Sequence, residues 1–534
     1  MEQQLAFVKL EVCGIQKFLC STGKLKEMLG GSEIIDSLPE RFLSERLEEL
    51  ALRQVERPED NRDWYIEIQR GAGAVCLILP DREKASEFLT RFSEVALERF
   101  PGLPLYGTQV PVQWDVDSYR RARREAENHI DEQRALCPVS IGGRMLPILE
   151  SARLDGIPAC ARDKDEAISV PSLTRRTKEC IEASKERLRR LTDKWEGVQL
   201  LWKDDLGEML GDEKARVALI HIDGNDLGKL FRKKLEEGRD LPLEKSIAAM
   251  RELSETVSRA NAAAFRGAVK EVVDFELARK KEMTRCTMPL RPLVMGGDDI
   301  TLVIRADLAL LFLTRFATEF ERKSQEYGER LSVGAGMVVM KASYPFAKAF
   351  SLVETLTESA KGATTDTDPR PSSVDYLVLT EDVEDDVQAY RRRVCTAADG
   401  SLLTTKPFNI GPGNSGQKFS TFVSNGMDVL KSLPRSAVRP AMNACHGGEN
   451  SSTQHWESIR KNLERGIGGR FGKKLMTVAQ FDGLFPQGFF ATSPATAQKQ
   501  TALGDYLELD HMLPALESDR NELLARLTRV ENAG

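Results

Sequence analysis

The sequence predicts an α+β fold: two ferredoxin-like domains, a helical linker domain between them, and a C-terminal helical domain. Two observations carry this. The order β-α-β-β-α-β occurs twice along the 534 residues. The two occurrences also overlay, with shared turn glycines: LAFVKLEVCGIQKFL (5–19) falls on VALIHIDGNDLGKLF (217–231), and GAGAVCLIL (71–79) on GGDDITLVI (296–304). We read two copies of one unit in one chain.

The first copy opens with the apolar run Leu5 to Val12. A charged helical stretch, Leu38 to Glu56, leads to the strand Ala74 to Leu79, set in a hairpin and bounded by Gly71, Gly73 and Pro80. In Ala85 to Phe100, Phe88, Phe92, Ala96 and Leu97 recur at helical spacing. Tyr106 to Trp114 reads as the last strand. Then come two charged helical segments, Ser118–Ala135 and Leu173–Glu196, flanking a stretch with Pro and Gly, Cys137–Ala161.

The second copy starts with the buried strand Val217 to Ile222 and the long helix Ser246 to Val273. Leu293–Met295 and Ile300–Ile304 are short strands around a Gly296-Gly297-Asp298-Asp299 hairpin. Leu308, Phe312, Phe316 and Phe320 form one apolar helix face. Leu331 to Met340 is a strand. The next helix begins at Pro345, a residue suited to the first helical position, and ends near Lys361-Gly362. Tyr376 to Leu379 is the last strand. A Gly, Ser, Thr and Pro-rich stretch, 396–418, marks a boundary. The domains are therefore 1–115, 116–212, 213–395 and 396–534.

Composition agrees. At about 150 residues per domain the length suggests roughly three or four domains. Apolar residues are 41% and charged residues 30%, which excludes disordered, collagen-like and disulfide-stapled classes. The chain has no apolar window long enough for a transmembrane helix and no secretory n-region, so we expect a cytoplasmic protein with reduced thiols. With 76 basic and 82 acidic residues the net charge is −6, which excludes a globally basic nucleic-acid coat but not a local basic groove.

Comparing the copies locates the chemistry. Asp223, Asp298 and Asp299 of the second copy stand where the first has Glu11, Gly73 and Ala74. Without the hairpin acids the first copy is expected to be structural or regulatory and not to bind metal. In a ferredoxin-like sheet the first and third strands are neighbours, so the three acids converge. Clustered carboxylates repel unless a cation compensates, and Mg²⁺ or Mn²⁺ suits hard oxygen ligands. Two ions about 4 Å apart would activate a ribose hydroxyl and steady a leaving pyrophosphate. Asp223, Asp298 and Asp299, with Gly224 beside them, are the candidate metal ligands. Gly296 and Gly297 would permit positive φ and a close phosphate or base. Lys361, at a helix end, could reach a triphosphate, although a lysine there also complements the helix dipole. Gly224, Asn225, Asp226 and Lys229 follow the first strand and could touch phosphate or base; ordinary surface roles suit Asp226 and Lys229 equally. Alone, Gly-Gly-Asp-Asp is also a plain hairpin turn.

HIDGNDLGKLF (221–231), RPLVMGGDDITLVI (291–304), SVGAGMVVMKASYPFAKAFSLVETLTESAKG (332–362) and GIQKFLCSTGKLKEMLGGSEII (14–35) together resemble the large palm-domain subunit of type III CRISPR effector complexes, the CRISPR polymerases. The resemblance covers most of residues 1 to 400. It implies two nucleotidyl cyclase-like palms, and ATP condensed into cyclic oligoadenylate second messengers when target RNA is bound. It implies Asp223, Asp298 and Asp299 as metal holders, Lys361 near the triphosphate, and guide or target RNA and other effector subunits as partners, or a homodimer if the chain acts alone. No zinc module is expected, because Cys137, Cys160 and Cys180 lack paired spacing. No HD nuclease is expected, because the first palm starts within ten residues of Met1 and none of the five histidines precedes an Asp.

Weaker signals remain. Residues 466–474 resemble a phosphate loop, but Ile467 and Lys474 break the pattern, which leaves a basic loop with Arg470, Lys473 and Lys474. Cys445, His446 and His455 read as a polar loop. Two other functions compete: a catalytically silent scaffold holding RNA and partner subunits, and a cyclic dinucleotide synthase of the GGDEF type. The Asp-Asp-Ile hairpin favours the CRISPR family over the latter.

Overall fold

The duplication is present in the sheets. In the first unit β1 (Leu5–Val12), β2 (Trp64–Gly71), β3 (Ala74–Leu79) and β4 (Leu105–Val112) stand in the antiparallel order β2-β3-β1-β4. In the second, β5 (Arg216–Gly224), β6 (Leu290–Met295), β7 (Asp299–Arg305) and β8 (Val333–Lys341) repeat it as β6-β7-β5-β8. The register matches the sequence overlay: Glu11 lies opposite Ala74, and Asp223 opposite Asp299. This is a computed structural model describing residues 4–533 except 72, 137–147, 193–194, 196, 212–214, 280–283, 298, 366, 381–385, 412–418, 466–475, 487 and 494–497.

β5 is almost uniformly apolar because both faces of its sheet are covered. Ala218, Ile220 and Ile222 share a core with Phe265 of α1 (Leu243–Arg279) and Phe312 and Phe316 of α2 (Ala306–Glu326). Val217 and Leu219, on the other face, share a core with Val353 and Leu356 of α3 (Phe346–Ala363). At about 1.5–3 kcal/mol per buried aliphatic or phenyl side chain, these two layers hold the sheet edge in place. From α3 the chain enters β9 (Ser373–Val378), parallel to β8.

The second of these cores also contains Val8, Leu10, Leu77 and Phe88 of the first unit, so the two units are packed through one apolar layer. On the far side of the first sheet, Leu5 and Phe7 pack with Tyr119, Ala122 and Ala126, and with Leu243 and Ile247 from the start of α1. Helix Val116–Leu136, read from sequence as linker, therefore lies on the first sheet.

Several local readings change. Helix Leu25–Ser37 precedes the charged stretch read as helical; Gly30 and Gly31 weaken its propensity, but they let another helix approach. A Cβ on Gly30 would fall 1.8 Å from the Arg175 carbonyl oxygen. The single helix read over Leu173–Glu196 is two, Val170–Arg175 and Lys178–Leu191. Pro345 is the N-cap of α3 rather than its first residue. The C-terminal part is mostly helical, and there Cys445 ends one helix, His446 stands in the turn after it and His455 lies within Glu449–Glu464, so the expected polar loop shrinks to the turn between two helices. The basic stretch 466–474, with Arg470, Lys473 and Lys474, and also Cys137, lies outside the described residues. Among the described residues no helix is long and apolar enough to cross a membrane.

Candidate functional site

The site forms where β5 and β7 end together. Asp223 and Asp299 are direct cross-strand partners, which puts their Cβ atoms about 5 Å apart. On the other side of β5, Asp223 pairs with Gly334 of β8. Two carboxylates side by side are unfavourable without a positive partner. The fold supplies one. Lys361, near the end of α3, donates from Nζ to Asp223 Oδ2 and to the Gly224 carbonyl oxygen, the latter at 2.9 Å. Its stem crosses the bare Cα of Gly334, where an added Cβ would meet Lys361 Cγ at 2.4 Å.

The strand β5 continues into a tightly held turn. Asn225 is buried, donating from its backbone to the Ser332 carbonyl at 2.8 Å and from Nδ2 to Ser332 Oγ at 2.9 Å. Among the described residues, Asn225 Oδ1 is buried without a hydrogen-bond partner. Asp226 takes positive φ, +56°, an uncommon conformation that Asn and Asp tolerate best. Its carboxylate accepts from Arg370 at 2.6 Å and pairs with Lys229 at 2.8 Å. Hydrogen bonds from Lys229 and Arg370 hold that carboxyl below its usual range.

The hairpin is anchored from behind. Asn261 of α1 donates from Nδ2 to the Gly296 and Gly297 carbonyls at 3.4 and 3.3 Å. Gly296 donates to the Asp299 carbonyl at 2.9 Å. Its backbone is not in the left-handed region, contrary to the sequence reading. The Asp299 carboxylate packs over the bare Cα of Gly296: a Cβ would sit 1.9 Å from Asp299 Oδ1, so a side chain at 296 would make that carboxylate turn aside. Asp298 lies outside the described residues.

Sequence reasoning missed four supporting residues. His221 is buried two strand pairs below the acids, with Nδ1 at 2.8 Å from Thr301 Oγ1. Burial pushes its imidazole below the usual value, against the charge of Asp223 and together with that of Lys361. Arg370 joins Asp226, the Lys361 carbonyl and Thr364 Oγ1, so it ties the turn to the end of α3. Asn261 and Ser332 complete the set. Their partners Thr301, Asn225, Gly296 and Asp226 lie 35 to 144 residues away in sequence, and no local pattern announces the pairings.

The donor set suits a hard divalent cation: two carboxylates, a backbone carbonyl, and an ammonium already drawn to one face. In the first unit the matching position differs. Glu11 pairs with Lys9 at 2.7 Å and faces Ala74.

Residues 216–367 match the family model described as Cas10/Cmr2, second palm domain. The second unit is thus similar to a palm of that type, and over this segment the resemblance to the large palm-domain subunit of type III CRISPR complexes is borne out. No curated protein matches the chain. Among solved structures it is similar to a chain of a Csm1-Csm4 cassette in complex with pppApA, with 14% identity, a TM-score of 0.41, and coverage of 68% of this chain and 53% of that one. It is also similar to a chain of a Csm1-Csm4 cassette in complex with cA4, with 13% identity, a TM-score of 0.42, and coverage of 95% and 70%. A third is from a Csm1-Csm4 subcomplex of the type III-A CRISPR-Csm interference complex, with 14% identity, a TM-score of 0.44, and coverage of 95% and 70%. The chain thus spans 53% of the length of the first of these matches.

Proposed function

We propose that this chain is a metal-dependent nucleotidyltransferase of type III CRISPR-like defence that converts ATP into cyclic oligoadenylates at its second palm. One observation carries the reading: the register that sets Asp223 against Asp299 at a Gly-Gly hairpin, inside the segment matching the Cas10/Cmr2 palm. Asp223, Asp299, the adjacent Asp298 and the Gly224 carbonyl would hold two Mg²⁺ or Mn²⁺ ions. When bound, such ions lower the pKa of a ribose hydroxyl and neutralise a departing pyrophosphate.

The chain's own residues prepare this site. Asn261 anchors the hairpin through its Gly296 and Gly297 carbonyls, and the bare Gly296 leaves room for the Asp299 carboxylate over the turn. Arg370 and Asp226 hold the turn 224–226 at the end of α3, and Lys361 and Lys229 offer positive charge to phosphates. Gly224, Asn225, Gly296 and Gly297 give close backbone approach. The domains in this reading are a first palm at 1–115, a linker at 116–212, the active palm at 213–395 and a helical domain at 396–534. Its partners are guide or target RNA and other effector subunits, or a second copy if it acts alone, in the cytoplasm.

The test is to incubate the protein with ATP and Mg²⁺ or Mn²⁺, with and without RNA, and analyse products by mass spectrometry. Cyclic oligoadenylate and pyrophosphate are expected, and both are lost in Asp298→Ala/Asp299→Ala. No product under any condition, or product indifferent to the substitutions, overturns the reading. Co-purifying RNA or helical subunits without turnover would then point to a scaffold, and turnover of GTP alone to a cyclic dinucleotide synthase.

A further inference from the structure

The side chain resting on Asp223 has a consequence for metal entry. Lys361 Nζ donates to Asp223 Oδ2 and to the Gly224 carbonyl at once, two oxygens that a divalent ion would use. The contact is built rather than incidental. The Lys361 stem lies across Gly334, the only residue type whose Cα leaves that track open, because a Cβ would meet Cγ at 2.4 Å. The lysine's own carbonyl is clamped by Arg370, which also holds Asp226, two residues past Gly224. Both partners are substantially shielded, with side chains 23% and 34% exposed, so the pair is screened less than a surface one.

We propose that Lys361 is an internal cation that occupies part of the metal position in the resting protein, and that it must leave Asp223 for a metal ion to bind there. This rests on the nucleotidyltransferase reading above. An ammonium and a divalent ion cannot share the same lone pairs at close range, since their charges repel. Lys361 therefore keeps the Asp223 and Gly224 oxygens assembled before metal arrives, and it competes with metal. Once displaced, its charge becomes available to the phosphates of an incoming nucleotide. Metal and nucleotide then favour each other's binding, and that coupling is reciprocal. A site of this kind binds metal weakly alone and well with substrate.

The experiment is a Mn²⁺ titration of the full chain followed by electron paramagnetic resonance, with and without a non-hydrolysable ATP analogue, for the wild type and Lys361→Met. Methionine keeps the stem in the Gly334 track and removes the charge. Losing a charge-assisted competitor is expected to tighten Mn²⁺ binding without nucleotide by about tenfold. The gain in Mn²⁺ affinity on adding nucleotide should shrink in the variant. A lysine that only contacts phosphate predicts the opposite: unchanged Mn²⁺ affinity without nucleotide, which overturns the proposal and leaves the enzymatic reading intact. No Mn²⁺ binding in either protein overturns both.

A second measurement does not depend on the variant folding. Wild-type crystals soaked in Mn²⁺ alone should show the ion on Asp223 with Lys361 Nζ withdrawn. An ion bound there with Nζ still on both oxygens refutes the competition.

Discussion

Replacing Gly336 by alanine tests how the end of α3 is positioned. Gly336 lies in β8 opposite His221, with α3 resting on its bare Cα. A Cβ there would stand 2.2 Å from the Val353 carbonyl oxygen and 2.7 Å from the Thr357 amide nitrogen. Both are helix backbone and cannot swing aside, so α3 must retreat by roughly 1 Å to reach ordinary contact. Overpacking of this kind costs about 1–3 kcal/mol. For a unit of this size, that lowers the melting temperature by about 5 °C or more at the upper part of the range. The same retreat breaks the bond from Thr357 Oγ1 to the His221 carbonyl, now 3.3 Å, and shifts the end of α3, with Lys361 one turn further on, relative to the ends of β5 and β7. Misplacement of about 1 Å at a reacting centre costs about 100-fold in rate. Gly362 is the control on the same helix: among the described residues a Cβ there meets nothing within 4 Å, so Gly362→Ala should stabilise by up to about 1 kcal/mol. Differential scanning calorimetry and product formation from ATP measure both effects. If Gly336→Ala melts within a degree of wild type, the seating of α3 on that glycine is wrong.

Two further outcomes are expected. Glu33 Oε2 is buried without a hydrogen-bond partner among the described residues, 3.6 Å from Arg187 Nε, and burial, then the charges of Asp36 and Glu40, push its carboxyl up to about 7 against Arg187 and Arg291. Because the folded value lies above the ordinary one, its stabilising contribution is complete below about pH 4.5 and is lost as pH rises through about 7. Glu33→Gln should therefore flatten the fall in melting temperature between pH 5 and 8 and raise it at pH 8; an unchanged pH profile refutes this. Phe312 is fully buried, with ring centroids 6.1 Å from both Phe265 and Phe316. Phe312→Ala should cost about 3–5 kcal/mol in urea unfolding, and a loss below about 1 kcal/mol would mean that α1 and α2 can close over the gap.

The sequence by itself determined the repeated unit, because burial on both sheet faces writes the strands as apolar runs, and because a hairpin is a local structure that glycines and acids mark directly. The adjacency of the first and third strands also brought Asp223 and the hairpin acids to one edge, and the structure added the register that sets Asp223 directly opposite Asp299. Helix Leu25–Ser37 was not legible, because its glycines serve a close contact with Arg175, more than a hundred residues away, against their own propensity. The role of Gly296 was misread for a related reason: its backbone does not take the left-handed conformation, and what lies against its bare Cα is the Asp299 carboxylate. Only the tertiary structure decided which charge meets Asp223. Lys361 stands 138 residues away in sequence and reaches it because α3 crosses β8 at Gly336 and Gly334. The same holds for His221 with Thr301, Arg370 with Asp226, and Asn261 with the hairpin. Buried polar groups must find partners wherever packing brings them, and packing is a property of the whole fold rather than of any local run of residues.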